Sequence, residues 1–283
     1  MTASARASAA SVRDALGGAT DAIAAAGSDS ARLDAELLLS AASGIDRTRL
    51  ASEPEARLPR GAAREFAAMV RRRVRREPVA YILGRKGFRR IELEVDQRVL
   101  IPRPETELLV EVALELGPAS VLDVGTGSGA VALAVADELT DARVVATDTS
   151  PGAVEVAQAN AAALGLGVRV EVAEGSYPAD GGPFDLVLSN LPYVTAAEWG
   201  GLQPEIREFE PREALVAGPE GLEAFRSLLE EIVRAGELPG TVALELGAGQ
   251  AEAVAGLVRD AGFGSAEALS DLAGIERVVV GRS

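Results

Sequence analysis

The sequence predicts an α/β protein: a mainly parallel sheet covered by helices on both faces, preceded by a small all-helical domain. Three observations carry this expectation. From residue 120 onward short apolar runs alternate with helical patterns, the order that specifies parallel strands joined by crossover helices. Residues 11–76 are helical in pattern and nowhere alternate at period two. A chain of 283 residues has room for one large α/β domain and a smaller one, at roughly 100 to 200 residues per domain.

Taken in order, Ser30 is placed to cap a helix in which Leu33, Leu37 and Leu38 share a face and which stops at Gly44. A second helix over 62–76 carries Phe66, Val70 and Val74 at i, i+4 and i+8. The same helix holds Arg71, Arg72, Arg73, Arg75 and Arg76, read as a solvated face near a helix C-terminus with contact to an acidic partner as the alternative. Ile91, Leu93 and Val95 alternate with charged neighbours as a half-buried strand, for which 98–101 is the expected hairpin mate. In residues 101–107, Ile-Pro-Arg-Pro-Glu-Thr-Glu, the prolines set a rigid approach to a helix ending near 116. Strands are then expected at 120–124, 143–148, 168–172, 184–188, 241–246 and 276–281, and helices at 129–138, 151–164, 221–235 and 249–261.

Composition removes several chemistries. With no Cys and no His, thiolate nucleophiles, disulfides, Cys-type zinc sites and His-based triads are excluded. The longest uncharged runs, 124–136 and 156–168, are 13 residues each, short of the ~20 needed to span a bilayer. Arg6, Arg13 and Asp14 interrupt residues 1–16, so no signal-peptide apolar core can be drawn. The expectation is a cytoplasmic protein with no membrane contact. A net charge of -15 repels phosphate and disfavours binding of free nucleic acid.

Two loops carry the chemistry. Residues 121–129, Val-Leu-Asp-Val-Gly-Thr-Gly-Ser-Gly, form a buried strand, a Gly-rich turn and a helix start, a cradle for a nucleotide-like cofactor on Gly125, Thr126, Gly127, Ser128 and Gly129. Asp148, at the end of the next strand, suits ribose hydroxyls whether the ligand is NAD or S-adenosylmethionine; the Asp-x-Gly-x-Gly-x-Gly form favours the latter. The strand at 184–188 runs into Asn190-Leu191-Pro192-Tyr193, which should face the same crevice, because ligands in open α/β sheets lie beyond the carboxyl ends of strands.

Together with Pro78-Val79-Ala80-Tyr81-Ile82-Leu83-Gly84, residues 101–107 and Phe209-Glu210-Pro211, these loops resemble the N5-glutamine methyltransferases that modify peptide chain release factors, called PrmC or HemK. The resemblance covers nearly the whole chain. It implies a Rossmann-like, seven-stranded class I methyltransferase sheet, S-adenosyl-L-methionine as cofactor, and the glutamine of a release factor's Gly-Gly-Gln loop as acceptor, hence a role in translation termination. The implied layout is a recognition domain over 1–84, a connecting hairpin over 85–102 and the methyltransferase domain over 103–283. Asn190, Leu191, Pro192 and Tyr193 would hold the acceptor, with the Asn190 side-chain oxygen and Leu191 carbonyl accepting both amide N–H bonds and Tyr193 stacking on the amide plane. Asn190 and, after the third strand, Ser176 would also touch the cofactor. Leu191 stands where the family usually has Pro, and the family's acidic residue near the adenine falls within 174–177 here. Arg103, Glu105 and Thr106 either line the crevice or cap the following helix. Trp199 lies in a stretch, 195–217, that the resemblance makes a flap over substrate. No metal is expected, and a monomer is. The alternatives are a ribosomal-protein glutamine methyltransferase, a nucleic-acid adenine N6-methyltransferase, an NAD-dependent oxidoreductase and a non-catalytic binding module.

Overall fold

A computed structural model describes residues 11–178 and 184–283. Residues 1–10, where the reading of 1–16 as lacking a signal-peptide core begins, lie outside the described residues. The chain divides into two compact units, one holding the residues up to Gly84 with Pro204–Phe209, the other Arg85–Gln203 with Glu210–Ser283.

The first unit is built from α1 (Val12–Ala25), α2 (Ala31–Ser43), α3 (Arg47–Ser52), α4 (Ala62–Val74) and α5 (Val79–Leu83). Ser11 caps α1 by accepting the Asp14 N–H at 3.1 Å, and Val12, Leu16, Ala19 and Ile23 form its buried stripe. In α2 the buried face is Ala31, Asp34, Ala35, Leu38 and Leu39; of the expected Leu33, Leu37 and Leu38 only Leu38 is fully buried, Leu37 is half-buried and Leu33 is exposed. Ser30 makes no side-chain cap and instead donates to Asp34 at 2.9 Å, although the helix does stop at a left-handed Gly44 as expected. In α4 Phe66 is buried but Val74 is exposed, and the place on the inner face is taken by Arg73. Reading all five arginines as a solvated face is therefore corrected: Arg71 and Arg75 are exposed, whereas Arg73 is enclosed by partners that neutralise it. Its Nε donates to Asp34 at 2.7 Å and its Nη2 to the Ser28 hydroxyl at 2.8 Å. The short helix at 204–209 belongs to this unit, and its Glu205 lies 2.8 Å from Arg73 and 2.5 Å from Arg76.

The second unit opens with an antiparallel hairpin of β1 (Arg85–Phe88) and β2 (Ile91–Glu94). Residues 98–101 are not the mate of β2; the mate lies upstream, because Arg89, at φ 49°, turns the chain within two residues and pairs Phe88 with Ile91. Then follow α6 (Glu107–Leu116), β3 (Ser120–Val124), α7 (Ala130–Glu138), β4 (Arg143–Asp148), α8 (Pro151–Ala163), β5 (Val170–Glu174) and β6 (Leu186–Ser189). The remainder of this unit is β7 (Val194–Thr195), β8 (Val216–Gly218), α10 (Glu223–Ala235), β9 (Thr241–Glu245), α11 (Ala251–Asp260), β10 (Ser265–Ser270) and β11 (Glu276–Arg282), with α9 (Pro204–Phe209) of the first unit lying between β7 and β8 in the chain.

Seven strands form one sheet in the order β10-β11-β9-β6-β3-β4-β5, and only β11 runs against the rest, antiparallel to both β9 and β10. The expected third strand starts two residues late, because 166–170 closes a turn first and leaves Val168 fully exposed. β10 had no expectation: Ser-Ala-Glu-Ala-Leu-Ser at a half-exposed sheet edge lacks the apolar alternation that betrays a strand. Alternation puts Leu186 and Leu188 into one core with α6 and α7, and Val187 into the other with Phe225, Leu228 and Ile232 of α10. Strand order reverses about β3, with β4 on one side and β6 on the other, which opens a crevice beyond the carboxyl ends of β3 and β6. No helix among the described residues is long and apolar enough to cross a membrane.

Candidate functional site

Val124 and Ser189 end adjacent strands in register, and the Ser189 hydroxyl donates to the Val124 carbonyl at 2.6 Å. This bond ties the Gly-rich loop to the Asn190 loop where both leave the sheet. In the Gly loop, Gly125, Gly127 and Gly129 all have positive φ, at 76°, 56° and 83°. A Cβ at Gly125 would lie 3.2 Å from the Leu191 side chain, and one at Gly129 would lie 2.8 Å from Leu133. The turn needs glycine for its backbone at three positions and for close approach at two of them.

Asp148 closes the cradle. One carboxylate oxygen accepts the Gly127 N–H and the other the Ser150 N–H, each at 2.9 Å, leaving further lone pairs on both oxygens for hydroxyl donors. Beneath the loop, Asp123 accepts the Thr126 hydroxyl at 2.7 Å and the Ala132 N–H at 3.2 Å. Burial pushes its carboxyl up to about 6 against those hydrogen bonds. Asn160 of α8 locks the loop from behind, donating to the Ser128 carbonyl at 2.8 Å and to Glu94 of the hairpin at 3.0 Å.

On the other wall Asn190 Nδ2 donates to Thr106 Oγ1 at 3.1 Å. Asn190 Oδ1 and the Leu191 carbonyl accept no hydrogen bond from the described residues. Thr106 makes no cap to α6, so of the two readings of the 103–106 segment the crevice-lining one holds for Thr106 and Arg103. Glu210 anchors that segment: it takes the Ile101 N–H at 3.1 Å and Arg103 Nη2 at 2.5 Å. Two of the motifs singled out in the sequence thereby meet through one buried carboxylate.

These walls enclose a cavity of about 930 Å³, counting its open mouth. Gly125, Thr126, Gly127, Ser128, Asp148, Asn190, Leu191 and Pro192 line it, as do Arg98, Val99 and Leu100, expected instead in a hairpin strand, and Pro102. Gly129 sits just behind as the N-cap of α7. Ser176 is not among the lining residues; in the stretch 174–177, Tyr177 is buried edge-on against Phe184. Tyr193 also lies outside the lining, with its ring beside Gly247 in a neighbouring hollow that includes Thr195, Glu198 and Arg277. Burial, together with Glu245 and Glu105, pushes its phenol up to about 12. Trp199 lies under the Arg212 guanidinium, 5.6 Å from the ring centroid.

Glu245, at the carboxyl end of β9, went unnoticed in the sequence. Its side chain is buried, yet neither carboxyl oxygen has a hydrogen-bond partner among the described residues; the Thr106 hydroxyl approaches, too loosely to count as one. Burial pushes this carboxyl up to about 7, with Glu105 adding to the shift and Thr106, Arg277 and Arg103 opposing it. The available signal was a lone acid ending an otherwise apolar strand, Val242-Ala243-Leu244-Glu245.

Residues 14–84 match the family description "PrmC N-terminal domain", and residues 121–209 match "Methyltransferase domain". The chain is similar to the release factor glutamine methyltransferase of Caulobacter vibrioides, 41% identical over 269 residues that cover 93% of each chain. It is also similar to that of Geobacter sulfurreducens, 43% identical over 260 residues that cover 90% of this chain and 91% of that one. Among solved structures, the hMettl16 catalytic domain in complex with MAT2A 3'UTR hairpin 6 superposes with a TM-score of 0.57 over 77% of this chain and 81% of that one, at 14% identity. At that identity the likeness speaks for the class I methyltransferase fold alone, whereas the sequence similarity spans both units and both loops, and on it the chain belongs to the release factor glutamine methyltransferase family.

Proposed function

We propose that this chain, as a cytoplasmic monomer, methylates the side-chain amide nitrogen of the glutamine in the Gly-Gly-Gln loop of peptide chain release factors, using S-adenosyl-L-methionine. In this reading 1–84 recognises the protein substrate, 85–102 connects, and 103–283 carries out the transfer. The observation that carries the proposal is the pair of unclaimed acceptors, Asn190 Oδ1 and the Leu191 carbonyl, beside a glycine cradle that ends at Asp148.

The residues fit the cofactor. A Cβ at Gly125 would crowd the cavity wall, and the remaining lone pairs of Asp148 suit two adjacent ribose hydroxyls. Gly125, Thr126, Gly127 and Ser128 would hold its amino-acid end, with Gly129 starting the helix behind them; Ser176 and Asn190 are the remaining proposed contacts. When bound, the cofactor supplies an electrophilic methyl group on a sulfonium. The protein's task is positioning. Two oxygens accepting both N–H bonds of a primary amide fix its orientation, turn the face that carries the nitrogen lone pair towards the methyl group, raise the electron density on the nitrogen and reject an ester or a carboxylate. Pro192 holds the turn that presents Leu191, and Tyr193, a neutral phenol at any physiological pH, is the proposed stacking partner after rotation towards the acceptor. No His is needed, because the amide nitrogen becomes acidic only once it carries the methyl group.

Incubation of the purified protein with labelled cofactor and an unmodified release factor is expected to yield N5-methylglutamine. Asn190→Ala should lower kcat about 10²- to 10³-fold, the scale for loss of one preorganised dipole. An inactive wild type, or an Asn190→Ala variant as active as wild type, would overturn the proposal.

A further inference from the structure

A side-chain amide has two nearly isosteric ends, and the reaction needs the oxygen of Asn190 outward. Asn190 alone does not choose. Its Nδ2 faces Thr106 Oγ1 at 3.1 Å, but a hydroxyl both donates and accepts, so that contact permits either orientation. Something must decide what the Thr106 proton does.

We propose that Glu245 is a positioning residue that acts through Thr106 to hold the Asn190 carboxamide with its oxygen facing the acceptor amide. This rests on the reading of Asn190 given under Proposed function. The Thr106 hydroxyl lies near the Glu245 carboxyl without a formed hydrogen bond, and a small approach would close it; once closed on the carboxylate, Glu245 commits the Thr106 proton to itself. The Thr106 oxygen then has only acceptor capacity left, Asn190 must present its NH2 inward, and Oδ1 faces the crevice. As a carboxylic acid, Glu245 donates to Thr106, Thr106 donates to Asn190 Oδ1, and the NH2 turns outward against the substrate's own N–H bonds.

No ionisable side chain among the described residues pairs with Glu245. Both neighbouring arginines are engaged elsewhere, Arg103 with Glu210 at 2.5 Å and Arg277 with Asp271 at 3.1 Å. The remaining ionisable neighbours are Glu105, from the segment that bears Thr106, and the Tyr193 phenol from the loop after β6. Glu105 opposes ionisation of Glu245, and Tyr193 stays neutral. Burial and Glu105 thus push the Glu245 carboxyl up to about 7, in a site with no His, and the polarity of the Thr106–Asn190 contact is proposed to follow its charge.

The test is kcat and KM for a release factor between pH 5.5 and 9, with cofactor binding by calorimetry at each pH. Wild type should lose activity about tenfold per pH unit below a midpoint near neutral, while cofactor affinity stays level. Glu245→Gln and Thr106→Val should each lower kcat about 10- to 100-fold at pH 8 and flatten that limb, and Thr106→Ser should restore both the rate and the limb. An acidic limb that persists unchanged in Glu245→Gln or in Thr106→Val overturns the relay. If Glu245→Gln fails to bind cofactor, the Thr106 pair decides alone: a Thr106→Val enzyme as active as Thr106→Ser also overturns it. A wild type without activity on release factors overturns the functional reading instead, whatever the variants do.

Discussion

Both units bury carboxyl groups, and they treat them in opposite ways. In the helical unit Asp34 lies in the core with Arg73 at 2.7 Å, Ser28 at 2.9 Å and Ser30 at 2.9 Å, and Glu205 completes the cluster 2.8 Å from the same guanidinium. In the sheet unit Glu245 is as deeply buried but has, among the described residues, no cation and no hydrogen bond, and Asp123 has hydrogen bonds but no cation. Charge burial is tolerated when paired and penalised when it is not. The first arrangement serves the fold; the second costs stability and sits at strand ends, around the crevice. An acid kept at a loss in such a place is best explained by chemistry it performs.

Arg73→Met gives the largest effect this comparison anticipates. It strands Asp34 without its cation, and urea denaturation should show a loss of about 3 to 5 kcal/mol. A loss below about 1 kcal/mol would break the contrast. Glu245→Gln should do the reverse, and with a definite pH dependence. The folded-state pKa of Glu245 is raised from 4.5 to about 7, so between those values the folded protein binds more protons than the unfolded chain and stability falls as pH rises. Below pH 4.5 the variant should match wild type. Above pH 7 it should be the more stable by an amount on the order of 3 kcal/mol, which denaturation curves at pH 4.5 and 8 would check.

Two glycines sharpen the contrast at a smaller scale. Gly44, at φ 69°, ends α2 in open space, whereas Gly125, at φ 76°, abuts Leu191. Substituting Ala at either should cost about 1 to 2 kcal/mol through the left-handed backbone. Only Gly125→Ala should also weaken cofactor binding by calorimetry, since its Cβ presses on the acceptor loop. Smallest of all, Arg259→Ala removes an ion pair with Glu252 in which both side chains are exposed, and should change stability by less than about 0.5 kcal/mol.

Much of the fold was legible because it rests on local patterns. The glycines of 125–129 and the run into Asn190 could be placed at strand ends before any coordinates, since strand periodicity and turn chemistry are written in neighbouring residues. The errors have a common cause. Nothing in Arg89-Arg90 announces the tight turn that supplies the mate of β2, and an exposed edge strand such as β10 needs no apolar face. Leu33 and Val74 were given inner positions that Asp34 and Arg73 occupy, because hydrophobic periodicity assumes that charges face water. That assumption fails where a pair neutralises itself. Glu245 escaped for the same reason: its significance lies in what surrounds it.

The sequence by itself determined the alternation of strands and helices, the positions of the Gly loop and the Asn190 loop, and the family to which both belong. Tertiary structure decided which charges are buried and which of them find partners. Asp34 meets Arg73 across 39 residues, Thr106 meets Asn190 across 84 and Arg103 meets Glu210 across 107. Secondary structure follows from torsional and apolar preferences that act over a few residues. The ionisation and hydrogen-bond polarity of a buried group depend on the water it has lost and the groups it faces, and those are fixed only when distant segments pack together.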